Sequence, residues 1–500
     1  MLLLLAFWAP ALLTAQSFTA SLQGVVQDTS GAMIPNAQVT LENEATNVRQ
    51  TTTTNENGRY VLASLSPGSY RLSVETPGFQ TSVRTGMVLQ VQQQATVDIV
   101  MTPGEVNTSI TISGEAPRLD ATTATLGRVV ENASVLSMPL GSRNTLDLAI
   151  LTPGVSGSTG FTGTNFVSNG TRNSQSDVLI DGTTVAVQEQ NGGVTDAKFR
   201  PSVEVVQEMK VMTNSFSAEY GNTGGTVVTM VTRSGTNQLH GSAFEFLRNS
   251  ALNSNNFFAN RSGREIVPFR RNQFGGALGG PVYIPRLYDG RDRTFFFFHY
   301  EATRQSSQHT ALSTVPTALE KQGNFSDTRD SAGRLITIYD PSSVHTDPQT
   351  GKLVREPFPA NIIPRSRMDP VALHSMQFYP EPNLPGNPFT RVNNFFNSGA
   401  RTSNDYQTTA KIDHNFTQAQ RFSARYSQYR ITGRTPNLWG NWMNPYDDGP
   451  ESPGDITRNA SADYTNTISP TTILNLRWGL ARQFGVRRPF CEQCPEFNIA

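Results

Sequence analysis

Hydrophobic and polar positions alternate with a period of two through most of the chain's second half, which predicts strands rather than helices. In 472–483, Leu474, Leu476, Trp478 and Leu480 share one face, and Asn475, Arg477, Gly479, Ala481 and Gln483 share the other. In 459–468, Ala460, Ala462, Tyr464 and Ile468 oppose Ser461, Asp463, Thr465 and Thr467. In 420–427, Phe422, Ala424 and Tyr426 oppose Arg421, Arg425 and Ser427; in 408–416, Ala410, Ile412 and Phe416 oppose Lys411, Asp413 and Asn415. Three earlier candidates complete a set of seven: Ser242–Leu247, Phe269–Val282 with its paired glycines, and Arg293–Thr303 with the run Phe295 to Phe298.

The second face decides what kind of sheet this is. A soluble sandwich would bury Arg477 and Asn475, or leave Leu474 to Leu480 in water, and both are costly. A membrane barrel turns the apolar face to lipid and the polar face to a wet lumen, and its strands need about 9–11 residues to cross. The gaps agree. Those at 249–268, 304–407 and 428–458 are long, and those at Pro285 to Asp292, Thr417–Ala419 and Ser469–Thr471 are short. The gap 304–407 is rich in Pro, Asn and Gln, and a loop of this length is expected to be functional or mobile. His345 and His374 lie in it without metal-ligand spacing.

The first half reads differently. Short strands are punctuated by Asn57-Gly58, Pro67-Gly68 and Pro77-Gly78 across 19–102, which predicts a small antiparallel sandwich. From Glu105 to Gly114 the chain runs extended, with Thr and Ser alternating with Ile, outside any obvious domain. Leu146 to Leu151 predicts a short amphipathic helix stopped by Pro153-Gly154, and Gly157 to Gly170 reads as a loop. The stretch Val203 to Leu247 joins the two halves: a strand from Val203 to Val211, a turn through Glu219-Tyr220-Gly221, and a strand from Thr226 to Thr232.

Composition narrows the classes. Hydrophobic residues are 37% and charged residues 16% of the 500, below ordinary soluble values. That suits a barrel, where one residue in two faces lipid, and a secreted soluble β protein equally. The formal net charge of zero gives no general pull toward nucleic acid. The opening MLLLLAFWAPALLTAQ is too short to span a bilayer. It reads as a signal peptide cleaved after Leu13-Thr14-Ala15, or as an anchor helix. Asp177 and Asp181 flank Val178-Leu179-Ile180. As a carboxylate pair they suggest acid–base work, but with no base partner or orienting group, turn hydrogen bonding is the expected role. Cys491 and Cys494 follow the last strand in what is expected to be an outer loop. A local disulfide is expected in an oxidising compartment, with a redox pair as the alternative.

Several motifs fall in order and together resemble one family. Leu179-Ile180-Asp181-Gly182, Phe216-Ser217-Ala218-Glu219-Tyr220-Gly221 and Ser234-Gly235-Thr236-Asn237 look like the end of the plug in TonB-dependent outer-membrane receptors. Val135 to Asn144 and Thr152 to Val155 look like the plug's opening in the Oar-like branch. The region Gly24 to Pro35 with Asn57-Gly58-Arg59-Tyr60, Pro67 to Tyr70 and Pro77-Gly78-Phe79 resembles the carboxypeptidase-regulatory-like, transthyretin-like fold, also grouped with carbohydrate-binding-like sandwiches. The peptidase suggested by that name has no zinc-ligand pair here, because 19–102 contains no His. A regulatory or binding module and a plain spacer both stay open for it.

The fold class expected is therefore mainly β: a transthyretin-like sandwich at 19–102 after a signal peptide at 1–15, a linker at 103–118, an α+β plug at 119–237, and the first strands of an outer-membrane β-barrel at 238–500. Thr108, Ser109, Ile110, Thr111, Ile112 and Ser113 are similar to a TonB box, the segment that would pair with the energy-transducing partner by strand addition; an ordinary linker strand is the alternative. The resemblance implies a barrel of about 22 strands, so seven imply a fragment or a truncated frame with an exposed sheet edge. It implies outer-membrane placement, with sandwich and plug on the periplasmic side. The partners implied are TonB, outer-membrane lipid and an extracellular ligand of glycan or peptide type, without nucleic acid. The function implied is TonB-energised transport without cofactor or covalent chemistry. An adhesin or surface-organising protein on the same fold is the alternative.

Overall fold

The computed structural model describes residues 18–104, 109–113, 124–138, 143–160, 163–172, 175–185, 199–221, 223–261, 263–440, 452–469 and 472–486. Nine strands form the first unit: β1 Ala20–Asp28, β2 Gln38–Asn43, β3 Arg49–Thr53, β4 Arg59–Leu65, β5 Gly68–Glu75, β6 Thr81–Leu89, β7 Gln94–Thr96, β8 Ile99–Met101 and β9 Ser109–Ser113. One sheet runs β4-β1-β7 with β8 also on β1; the other runs β3-β2-β5-β6-β9. Alternation along β1, β5 and β6 turns Leu22, Val26, Leu72, Val74, Met87 and Leu89 into a shared apolar core with Val39, Leu41, Tyr60 and Ile99.

The extended segment expected to lie outside any domain belongs to this sandwich. Strand β9 pairs in parallel with β6, Thr81 opposite Ser109 through Thr85 opposite Ser113. An alternating Ser/Thr/Ile sequence next to an open sheet edge finds its backbone partners there.

The second unit contains β10 Leu126–Glu131, β11 Val155–Gly160, β12 Gly163–Ser168, β13 Asp177–Ile180, β14 Thr183–Thr184, β15 Val206–Asn214 and β16 Val227–Thr232. Its sheet runs β10-β15-β16-β13-β14, with β13 parallel to β16. Every residue of β13 and β16 is buried, which fits their mainly apolar sequences, Val-Leu-Ile after Asp177 and Val-Val-Thr-Met-Val-Thr. The amphipathic helix expected near 146–151 is a 3-10 helix, Thr145–Leu151, capped by the Asn144 side chain and burying Leu146, Leu148 and Ala149. The Gly-rich stretch read as a loop is partly the hairpin β11–β12, Val155 opposite Ser168.

The third unit is a single antiparallel sheet of seven long strands: β17 His240–Asn249, β18 Phe269–Pro281, β21 Thr294–Ser313, β24 Phe395–Asn415, β25 Gln420–Arg434, β26 Ser452–Ser469 and β27 Thr472–Val486, paired in that order. Two short hairpins, β19 Tyr283–Ile284 with β20 Tyr288–Asp289 and β22 His345–Thr346 with β23 Leu353–Val354, ornament its connections. Among the described residues the sheet is open: β17 and β27 do not pair. Its outer face is apolar and uncovered. Leu474, Leu476, Trp478 and Leu480 are 39–57% exposed, and Phe298, Tyr300 and Tyr426 are also exposed. Its inner face holds Asn459, Ser461, Asp463, Thr465 and Arg425, all buried against the second unit. The run Phe295 to Phe298 divides by the same rule: Phe295 and Phe297 are buried inside, while Phe298 is exposed outside.

The gap expected to be an unstructured loop at 304–407 is much smaller. Strands β21 and β24 extend far past the sheet as one hairpin, Ser313 opposite Phe395. The remaining connection is folded. Thr317 and Glu320 form a capping box on the turn Ala318–Lys321. Buried Asn361 donates to the carbonyls of Phe325 and Ile336 and accepts from the Ile338 amide.

Candidate functional site

The second unit lies against the inner face of the seven-stranded wall, and beside a small apolar contact of Val205 with Ala277 and Phe297 the contacts between them are largely polar and charged. Asp181 and Gly182 are the central residues of the two-residue turn from β13 to β14, with φ of 47° and 74°. Asp-Gly accepts this double left-handed geometry more readily than most dipeptides. The turn projects the Asp181 carboxylate toward the wall. There Arg425 Nε of β25 donates to Asp181 Oδ2 at 2.6 Å, and Arg425 also donates to Asn459 Oδ1 at 2.5 Å and to the Ile180 carbonyl at 3.3 Å. The Thr232 amide and hydroxyl donate to the same carboxylate at 2.9 and 2.7 Å. Lys411 Nζ donates to the Thr232 carbonyl at 3.2 Å. Burial alone would raise the Asp181 pKa; Lys411, Arg425 and the Thr232 hydrogen bonds outweigh it and hold the carboxyl below its usual value.

Beside this clamp the wall comes close. A Cβ added at Gly479 would lie 2.5 Å from Thr183 Oγ1, so β27 meets β14 only because position 479 carries no side chain. Arg477 pairs with Asp463 at 2.9 Å, and its guanidinium lies 4.7 Å from the Phe18 ring centroid.

A second anchorage lies at the start of β15. Ser202 Oγ donates to Glu301 Oε2 at 2.7 Å, its amide donates to Gln407 Oε1 at 2.9 Å, and Gln407 Nε2 donates to the Arg200 carbonyl at 2.6 Å. Gln273 Nε2 holds the other Glu301 oxygen at 2.7 Å. Arg143 bridges Glu204 at 3.5 Å and the Phe246 ring at 3.8 Å. Between these residues lies a polar cavity of about 240 Å³ that also reaches Arg271, Asp405 and Tyr429.

The sandwich is tied to both other units. The Val91 amide donates to Glu208 Oε2 of β15 at 2.8 Å, and Gln92 Nε2 donates to the Tyr220 hydroxyl. Phe18, Val91 and Val231 form a small apolar seam between them. Burial pushes the Glu208 carboxyl up to about 7; the nearby Glu131 adds to the rise and the Val91 hydrogen bond opposes it. Toward the wall, Asn237 is a junction. Its amide donates to the Ala45 carbonyl at 3.0 Å, its side chain donates to Asp292 at 2.6 Å and accepts from the Asp292 amide at 2.7 Å. Asn47 reaches the same Asp292 at 2.9 Å, and Arg421 reaches Ser66 Oγ at 2.9 Å. All of these lie at the short-turn end of the wall.

The residues singled out from sequence separate accordingly. Ser109, Ile110, Thr111, Ile112 and Ser113 form β9; Thr108 lies outside the described residues, as do Cys491 and Cys494 with their expected disulfide. Asp177 accepts from the Val178 amide at 2.8 Å and the Thr184 hydroxyl at 2.5 Å, a local role. Asp181 departs from the turn role expected of it, because its carboxylate is an ion-pair partner for another element. His345 meets the Ser343 carbonyl and Glu356, and His374 stacks edge-on with Phe378. No metal-holding cluster of three occurs among the described residues. The sequence reading missed Glu208, Glu301 and Gln407, and it marked Asn237 only as the end of a motif, without its partners. It placed Lys411, Arg425 and Asp463 on the wet face of their strands, and that placement was the available signal.

An α+β unit clamped against the inner face of an outward-apolar sheet is the arrangement of a membrane β-barrel wall with a unit packed on its polar side. The family model for the outer membrane beta barrel domain matches residues 231–493, and the carboxypeptidase regulatory-like domain matches 21–102. The chain belongs to the outer-membrane β-barrel family, and its place is the outer membrane. It is a homologue of the TonB-dependent transporter Oar of Myxococcus xanthus, 27% identical over 275 residues that cover 52% of this chain and 24% of Oar. The chain thus spans about a quarter of that relative's length. Among solved structures it is similar to the outer membrane transporter YddB from Escherichia coli, with TM-score 0.41 and 12% identity over 71% of this chain and 38% of that one. It is also similar to the ferric enterobactin receptor PfeA from Pseudomonas aeruginosa, with TM-score 0.39 and 12% identity over 72% and 41%.

Proposed function

We propose that this protein is a TonB-energised receptor that binds a ligand at the long-loop end of the wall and moves it past the plug. The observation that supports this most is the clamp: the plug is held in the lumen by Asp181–Arg425 and the Ser202–Glu301–Gln407 network, polar contacts that can be broken and remade, rather than by a continuous apolar core. Immediately before the plug in the chain lies β9, a strand of the kind an energising partner recognises through its backbone. Ligand binding at the outer loops, pairing of TonB with residues 109–113 on the periplasmic side, and displacement of the plug form one sequence of events without covalent chemistry. The folded lobe at 314–394 also suits an adhesin, which would keep the fold and need no partner at β9.

Site-specific crosslinking in the full-length protein separates the two. Cysteines are placed singly at Ile110, Thr111 and Ile112 against cysteines in TonB in the same cells. Position-dependent crosslinks support the transporter. An assembled barrel with no crosslink at any position would move the assignment to the adhesin.

A further inference from the structure

The strand before the plug is part of a sheet that is itself fastened to the mouth of the wall. β9 is the terminal strand of β3-β2-β5-β6-β9, with all five residues in register with Thr81–Thr85 of β6. No described strand pairs with its other side. A terminal strand presents a row of backbone N–H and C=O groups, a template for one more strand. The sandwich that holds it is fixed on two sides: to the plug through Val91–Glu208, and to the short turns of the wall through Asn47–Asp292, Thr51–Gln418 and Arg421–Ser66.

We propose that the N-terminal sandwich is the docking platform for the energising partner: it holds residues 109–113 extended at its sheet edge, and a strand of TonB adds to the open side of β9 as the sixth strand. This rests on the TonB reading above and gives the regulatory-like domain a task in it. A free segment would have to be ordered when the partner binds; one already extended in a sheet does not, and pre-organisation of this kind raises affinity without new contacts. The recognition chemistry is backbone hydrogen bonding to an extended protein strand. Pulling on the partner would then load the sandwich sheet and its ties to plug and wall.

The test is a staple that prevents β9 from leaving β6. In the full-length receptor, with Cys491→Ser and Cys494→Ser in the background, Val83→Cys and Thr111→Cys place a disulfide across register partners. A photo-crosslinking residue at Ser113 reports TonB in cells. The oxidised staple is expected to leave crosslinking to TonB within about twofold of the reduced form. A loss of about tenfold or more on oxidation, restored by reductant, is the scale of a binding step that needs the strand released, and overturns the proposal. If the staple-free receptor also fails to crosslink, both this inference and the TonB reading fall, an outcome told apart by the silent control. Hydrogen exchange gives a second readout that needs no engineered bond. On adding the purified C-terminal domain of TonB, the amides of Thr81–Thr85 are expected to keep their protection, whereas its loss would show β9 withdrawn from the sandwich.

Discussion

Asp181 shows how one side chain serves two elements at once. Its backbone makes the left-handed turn, and its carboxylate neutralises a wall arginine that is almost fully buried. Removing one partner of such a pair strands the other charge, with a typical cost of about 3–5 kcal/mol. Arg425→Ala is therefore expected to loosen the plug strongly, read as faster proteolysis within 175–185 in the assembled protein. The double variant Asp181→Asn with Arg425→Gln should recover part of the loss. An unchanged single variant would deny the clamp. The pH dependence follows from the lowered pKa: the stabilisation is present above the ordinary aspartate value and is lost only as pH falls through the lower value inside the protein. Gly235 gives a second test at this scale. A Cβ there would lie 2.4 Å from the Phe296 carbonyl and 2.5 Å from the Gly280 carbonyl, so Gly235→Ala is expected to reduce assembled protein, measured as the folded fraction in membranes. The sequence displayed both residues inside recognisable motifs, but the partners that explain them, Arg425 and the backbone of β18 and β21, are distant in sequence and invisible to local pattern.

The strands of the wall were legible because a membrane enforces strict alternation: every second residue meets lipid, so Leu474 to Leu480 cannot be anything but outward. The ends of those strands were not. Past the bilayer, β21 and β24 continue through Arg304–Ser313 and Phe395–Gln407 with mostly polar residues, because paired backbone rather than apolar burial sustains them there. β9 was misplaced for a related reason, since parallel pairing with β6 leaves no turn signal between them. Among the contacts between elements, Glu208 of β15 makes a measurable prediction. Its carboxyl, raised to about 7 mainly by burial, holds a proton more tightly in the folded protein than in the unfolded chain. The stability linked to this group is therefore greatest below about 4.5, falls as pH rises toward 7, and is constant above it. Hydrogen exchange of the Val91 amide, corrected for intrinsic rate, should show protection that declines across this window. Glu208→Gln should flatten the profile, and a Gln variant with the same slope would assign the effect elsewhere. Lys210 and Glu131 are the charged neighbours to control.

For the whole molecule, three units share one arrangement: a sandwich fastened to the short-turn end, an α+β unit clamped against the wall's inner face, and a wall whose outer face is made for lipid. Everything said of transport depends on that wall separating bilayer from wet interior. The most direct test is a nitroxide scan along Ile473–Leu480 in the full-length protein in vesicles, reading collision with oxygen, which concentrates in lipid, against a water-soluble nickel chelate. Oxygen accessibility is expected to peak at Leu474, Leu476, Trp478 and Leu480 and to fall at Asn475 and Arg477; Gly479 is left unlabelled, because a side chain there would meet Thr183. Uniform accessibility, or maxima at Asn475 and Arg477, would contradict a membrane wall with the second unit on its inner face.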